Sequence, residues 1–219
     1  MKHFSRADIL DLPQRHRARL INSISGFKSA NLVGTKSPEG QENLSIVSSV
    51  VHLGSNPALL GMVMRPPSVP RHTYENILST ETYTLNAIPK QLARAAHQTS
   101  ARYDQARSEF DATELEAVYR ENWTAPYVGG APIQLGMRLV EDVEIKHNGT
   151  RLIIGAVEHI YMVEGIQQPD GFVDLAGAGV VSIGGLDAYH VPELAFRLSY
   201  AKPDVPLKTL ALSGASDVD

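Results

Sequence analysis

Asn43-Leu44-Ser45-Ile46-Val47-Ser48-Ser49-Val50-Val51, then Leu59-Leu60-Gly61-Met62-Val63-Met64, Arg65-Pro66-Pro67 and Arg71-His72-Thr73-Tyr74-Glu75-Asn76-Ile77, form the stretch from which the rest of the chain is best read. Residues two apart on a strand share a face, so Asn43, Ser45 and Val47 line one side and Leu44, Ile46 and Ser48 the other. Ser48-Ser49 suits a bend at which hydroxyls and backbone N–H groups reach one anion. Pro66, Pro67 and Pro70 forbid regular structure until Thr73, read as an N-cap, opens a helix over Tyr74 to Ser79. Its first amides, with Arg65 or Arg71, make a natural anion site. Taken singly, the first segment reads equally as a polar edge strand, and the second as an ordinary cap flanked by solvated arginines. Together they suit a phosphorylated planar ligand.

Working outward, Ile9, Leu12, Leu20, Ile21 and Ile24 predict a short turn and then a helix with its apolar side on the body, stopped by Gly26. Strands are expected at Phe27 to Thr35, Ile46 to Leu53, Leu59 to Met64, Thr82 to Ile88, Ile133 to Glu144, Arg151 to Glu164 and Gly179 to Ile183. Asn148-Gly149 between two alternating runs is a strong hairpin signal. Residues 89 to 122 read as a polar insertion of exposed helices with a cap signal at Asp111 to Glu114. They serve either as a lid or as an extension of a dimer contact. From about Ala201 the chain reads as an arm or frayed tail, 201–219. Strands that do not alternate with helices argue for one mainly β domain over 1–219, a mostly antiparallel barrel with peripheral helices.

With 219 residues, 43% hydrophobic and 20% charged, one core is the default. A formal net charge of −4 with scattered basic residues gives no field for nucleic acid. No cysteine is present, so thiolate chemistry and disulfides are excluded and redox work must come from a cofactor. No apolar leader or long apolar run is found, so no membrane partner is expected and the chain is read as cytoplasmic. Eight dispersed histidines lack metal-ligand spacing, and no Gly-x-Ser-x-Gly elbow occurs. Gly177-Ala178-Gly179 starts like a dinucleotide fingerprint but lacks its third glycine and its strand-to-helix context. Glu141, Asp142 and Glu144 read as a solvated strand edge, and Trp123 as a barrel plug or dimer contact.

In their order, Asn-Leu-Ser-Ile-Val-Ser-Ser, Asn56-Pro57 before an apolar strand, Arg-His-Thr-x-x-Asn-Ile and Thr82-Tyr83-Thr84-Leu85-Asn86 resemble the flavin reductase-like family with the FMN-binding split barrel, flavoredoxin included. Ala95-Ala96-His97, Ser108-Glu109-Phe110 and Gly184-Gly185-Leu186-Asp187-Ala188-Tyr189 extend the resemblance. It implies an antiparallel Greek-key split β-barrel, a homodimer, and one FMN per subunit near the interface. By position Asn43, Ser45, Ser48, Ser49 and the backbone of Val50 would face the flavin ring and ribityl chain. Arg65, Arg71, His72 and Thr73 would bracket the phosphate, with Asn76 holding that turn. The activity implied is NAD(P)H-dependent flavin reduction by hydride transfer from NADH or NADPH to flavin N5, FMN being either prosthetic group or substrate for a separate oxygenase. A non-catalytic, flavoredoxin-like electron carrier is the alternative. His97 and Tyr189 are candidates for nicotinamide contact or gating of the flavin, although a surface histidine on an exposed helix is the simpler meaning of His97.

Overall fold

A computed structural model describes residues 1–214 apart from Gln105 and Glu121. Its centre is a seven-stranded sheet built from β1 (Asn31–Lys36), β2 (Glu42–Val47), β3 (Val50–Ser55), β4 (Ala58–Met64), β5 (Thr82–Ala87), β6 (Ile133–Ile145) and β7 (Thr150–Met162). The strand order is β2-β1-β5-β6-β7-β4-β3, and every neighbouring pair is antiparallel. The two outermost strands, β2 and β3, are consecutive in sequence and joined only by Ser48-Ser49. A sheet whose edges are covalently tied this closely must curl on itself, yet β2 and β3 do not pair. The result is a barrel with an open seam. Ile46 to Leu53, expected as one strand, is therefore two, broken at the serine bend.

The barrel interior is filled by Val33, Met62, Met64, Tyr83, Leu85, Met137 and Ile153, and the helix α3 (His72–Thr80) closes one end with Tyr74 and Ile77. Full burial of each such side chain contributes roughly 1.5–3 kcal/mol. The Asn148-Gly149 turn joins β6 and β7 in the expected hairpin, with Thr150 opposite Ile145 and Gly149 at φ +71°, a conformation that glycine adopts without penalty.

Five expectations need correction. The two N-terminal helices, α1 (Arg6–Asp11) and α2 (Gln14–Ile24), bury no residue, and Leu10, Ile21 and Ile24 stay exposed, so their apolar side does not lie on the body. The expected strand Phe27 to Thr35 is interrupted: Lys28–Ser29 pairs with Ser182–Gly184 in a small separate sheet, and Phe27 is exposed. Residues 89 to 122 form two short helices, α4 (Ala93–Gln98) and α5 (Glu109–Thr113), and they are not solvent-exposed appendages. Ala93, Ala96, Phe110 and Leu115 join Leu32, Leu44 and Ile88 in a second core on the outer face of β1 and β2. Ser108, not the Asp111 segment, caps α5, its hydroxyl accepting from Phe110 N–H. Asp142 is no solvated edge residue either, because its carboxylate accepts from the Tyr74 hydroxyl at 2.7 Å and from Arg151 at 2.7 and 2.8 Å. Burial would raise its pKa, but the hydrogen bonds from Arg151 and Tyr74 outweigh this and hold it below the usual carboxylate range.

The segment after the insertion is stitched to the sheet by polar side chains. Thr84 Oγ1 donates to Pro126 O at 2.7 Å, Val128 N donates to Asn86 Oδ1 at 3.0 Å, and Gln134 Nε2 donates to Val128 O at 2.7 Å. Trp123 is buried beside Ala125 and Tyr127, its indole N–H on Tyr83 O, outside the barrel rather than plugging it. Near the C-terminus Arg197–Leu198 pairs with Thr209–Leu210, and Arg197 is salt-bridged to Asp170. Of the two readings of this segment, arm or frayed tail, it is a folded-back arm as far as residue 214, and 215–219 lie outside the described residues. No helix among the described residues is long and apolar enough to cross a membrane.

Candidate functional site

Alternation along β2 works as the sequence pattern demands. Leu44 and Ile46 pack into the outer core, whereas Asn43 and Ser45 turn toward α3. Asn43 Nδ2 donates to Thr73 Oγ1 at 2.8 Å, and the Thr73 hydroxyl donates onward to Ser45 Oγ at 2.8 Å. Thr35 on β1 accepts from both Asn43 Nδ2, at 3.3 Å, and Asn76 Nδ2, at 3.1 Å. Asn43, Thr73, Asn76 and Thr35 are buried, so these bonds satisfy polar groups that would otherwise be left without water. The two sequence segments, thirty residues apart at Asn43 and Thr73, are one cluster in space.

The N-cap assignment of Thr73 is wrong by two positions. Helix α3 starts at His72, the cap position is Arg71, and no side chain caps it. Thr73 lies inside the first turn, where its hydroxyl is taken up by Ser45 and Asn43. The first intrahelical bond runs from Glu75 N to Arg71 O, so the amides of His72, Thr73 and Tyr74 have no helical acceptor. Asn76 fastens α3 to β1 by donating to Thr35 Oγ1.

Arg71 is half-buried, with Nε donating to Pro66 O at 2.9 Å and its backbone N–H donating to Glu75 Oε1 at 2.9 Å. Burial lowers its pKa, and the positive charges of Arg65 and Arg102 lower it further. Like charges gathered at a helix start are unfavourable unless an anion joins them. Arg65 itself is exposed at the end of β4. At the seam, Ser49 Oγ donates to Val63 O at 2.8 Å, Ser48 is half-buried in the link, and Val50 opens β3. Ser48, Ser49 and Val50 thus border the barrel's open edge.

Three contributors escaped sequence reasoning. Thr35 is the acceptor on which both asparagines meet. Arg102 adds charge from the insertion. Glu109, noticed only within a Glu-Phe pair, is buried and accepts from Leu44 N at 2.9 Å. A polar cavity of about 10 Å³, room for one water molecule, lies between Asn43, His72, Asn76, Arg107 and Glu109. Alternation on β2 identifies Asn43 as inward-facing, but nothing local in the sequence says which distant side chain it meets.

His97 and Tyr189 are brought together: His97 Nδ1 and Tyr189 Oη are 3.0 Å apart, with their rings edge to face. Tyr189 packs on the outer core that holds Leu44 and Ile46, the opposite face of β2 from Asn43 and Ser45. Burial raises the Tyr189 pKa.

Thr73→Ala tests the cluster. Deleting a buried hydroxyl that both accepts and donates strands Ser45 and weakens the hold on Asn43, so the unfolding free energy is expected to fall by about 1–3 kcal/mol. Thr73→Ser should recover most of the loss. Identical urea midpoints for wild type and Thr73→Ala would show that the chain of hydroxyls contributes nothing.

A curled antiparallel sheet left open between its two tied edges is the split-barrel class of fold. Residues 26–176 match the family model of the flavin reductase like domain, and the chain belongs to that family. A protein of Shewanella frigidimarina NCIMB 400, assigned as a flavin reductase with split barrel domain, is 47% identical, with a TM-score of 0.89 over 92% of this chain and all of its own (100%). Nitrilotriacetate monooxygenase component B from Bacillus cereus shares 18% identity with a TM-score of 0.79, over 90% of this chain and 98% of its own. Flavoredoxin of Desulfovibrio vulgaris (Miyazaki F) shares 21% with a TM-score of 0.67, over 81% and 91%. The last two likenesses concern the fold.

Proposed function

We propose that the chain binds FMN and works as an NAD(P)H-dependent flavin reductase, cytoplasmic and homodimeric. The observation that carries this reading is the meeting of the β2 cluster with an arginine-rich helix start at the barrel seam. Arg65 and Arg71 would hold the phosphate with the free amides of His72 and Thr73, a donor set that fits a dianion. Thr73 would serve through its backbone, because its hydroxyl already bonds Ser45. Asn43, Ser45, Ser48, Ser49 and the backbone of Val50 would line the ring edge and ribityl chain, with Asn76 fixing the helix that carries the phosphate site.

When bound, the flavin supplies acceptance of a hydride from reduced nicotinamide. The protein's part is to orient the two rings in contact, to exclude water and to place donors near the flavin pyrimidine, and none of these tasks requires a nucleophile or a general base. The His97–Tyr189 pair lies on the opposite face of β2 from Asn43 and Ser45 and is given no part in this site. Dimerisation is supported by an apolar outer face at the seam: Val51, Leu53 and Val63 are 48%, 44% and 39% exposed. Val51, Leu53 and Leu152 converge over Gly61, which carries no side chain of its own to fill the space. A second copy of the chain would cover this face beside the flavin.

Protein purified after FMN loading should be yellow and should bleach within seconds when NADH or NADPH is added anaerobically. A yellow protein left unbleached by both would be the electron carrier of the alternative reading. Failure to quench added FMN fluorescence would remove the flavin altogether.

A further inference from the structure

The outer edge of β2 would expose unpaired backbone groups, since β2 ends the sheet. One of them is covered in an unusual way. Leu44 N–H, which lies between Asn43 and Ser45, donates at 2.9 Å to Glu109 Oε2, a buried carboxylate 65 residues away on α5. The side chain of Phe110 anchors the same helix in the outer core next to Leu44. Facing the carboxylate are His72 from α3, Arg107 from the loop before α5 and Glu42 from β2, all lining the same small cavity. Burial raises the Glu109 pKa, against the lowering effects of Leu44 N–H, its own backbone N–H and His72.

We propose that Glu109 is a positioning residue for the flavin: by binding Leu44 N–H it fixes the path of β2 and so the poses of Asn43 and Ser45 on either side. The 89 to 122 insertion, on this account, is a clamp on the edge strand and not a lid. The inference rests on the FMN reading. It differs from a general stabilising role because it depends on the reach of the acceptor and not on its charge.

Three variants separate these possibilities, each followed by hydrogen exchange of the Leu44 amide in the flavin-free protein and by fluorescence titration with FMN. Glu109→Gln keeps an acceptor at the same distance. Glu109→Asp keeps the charge and draws it back by one methylene. Glu109→Ala removes both. The expectation is that Leu44 exchanges about tenfold faster and FMN binds about tenfold more weakly in Glu109→Asp and Glu109→Ala, with Glu109→Gln close to wild type. Unchanged Leu44 exchange in Glu109→Asp would overturn the proposal, as would faster exchange with unaltered FMN affinity. Wild-type protein that does not bind FMN would refute the flavin reading itself, an outcome visible before any variant is made. If Glu109→Ala does not fold, the comparison of Glu109→Asp with Glu109→Gln still decides.

Discussion

Arg71→Ala should cost FMN binding roughly 10- to 100-fold while changing riboflavin affinity by less than about threefold, because a hydrogen bond to a charged group is worth about 1.5–3 kcal/mol and only FMN carries the phosphate. Arg71 is placed for this role by Pro66 O, which holds its Nε, and by its position directly before the unpaired amides of α3. Arg65 and Arg102 crowd it with like charge, which a bound dianion would relieve. The difference between the two flavins should narrow as salt is raised, since the outer part of this cluster is open to solvent. Equal losses for FMN and riboflavin in matched fluorescence titrations would show that Arg71 shapes the site without meeting the phosphate. A drop in thermal stability alone would leave Pro66 as its only relevant partner.

Much of the architecture could be read from local pattern, and the reasons differ by element. The β6–β7 hairpin was legible because Asn148-Gly149 specifies a turn and the flanking alternation fixes the faces. The facing of Asn43 and Ser45 was legible for the same period-two reason. What failed was the setting of boundaries by residue type alone. Thr73 has the chemistry of an N-cap, but tertiary partners on β2 take its hydroxyl, and α3 opens two residues earlier than expected. Residues 89 to 122 are polar on average, and an average hides the few side chains, Ala93, Ala96, Phe110 and Leu115, that bury them against the barrel. Asp142 looked like an edge acid because its partners, Tyr74 and Arg151, are remote or across the hairpin. Glu109 was beyond any pattern, since its bond joins positions 65 residues apart. Local rules report faces and turns, whereas the site is assembled by long-range contacts.

The glycine at position 34 shows how closely the site depends on the fold. Gly34 pairs with Leu44 on one side and Thr84 on the other, in the middle of the β2-β1-β5 region. A Cβ there would overlap Pro126 O and lie 2.6 Å from Thr84 Oγ1. The obstacle is backbone, and it cannot swing aside, because Thr84 Oγ1 holds Pro126 O at 2.7 Å and Asn86 and Gln134 hold Val128 two residues on. Gly34→Ala must therefore push the 123–128 segment off the sheet or bend β1, and overpacking of this kind costs about 3 kcal/mol or more. For a chain of this length that is a fall in melting temperature of about 6–12 °C. Bending β1 would also move the adjacent Thr35, on which Asn43 and Asn76 both depend, so FMN affinity should fall together with stability. Thr84→Ala removes a hydrogen bond without creating a clash and should destabilise less. Thermal denaturation of the two variants side by side decides the matter: a Gly34→Ala protein as stable as wild type would mean that the Pro126 carbonyl does not rest on β1.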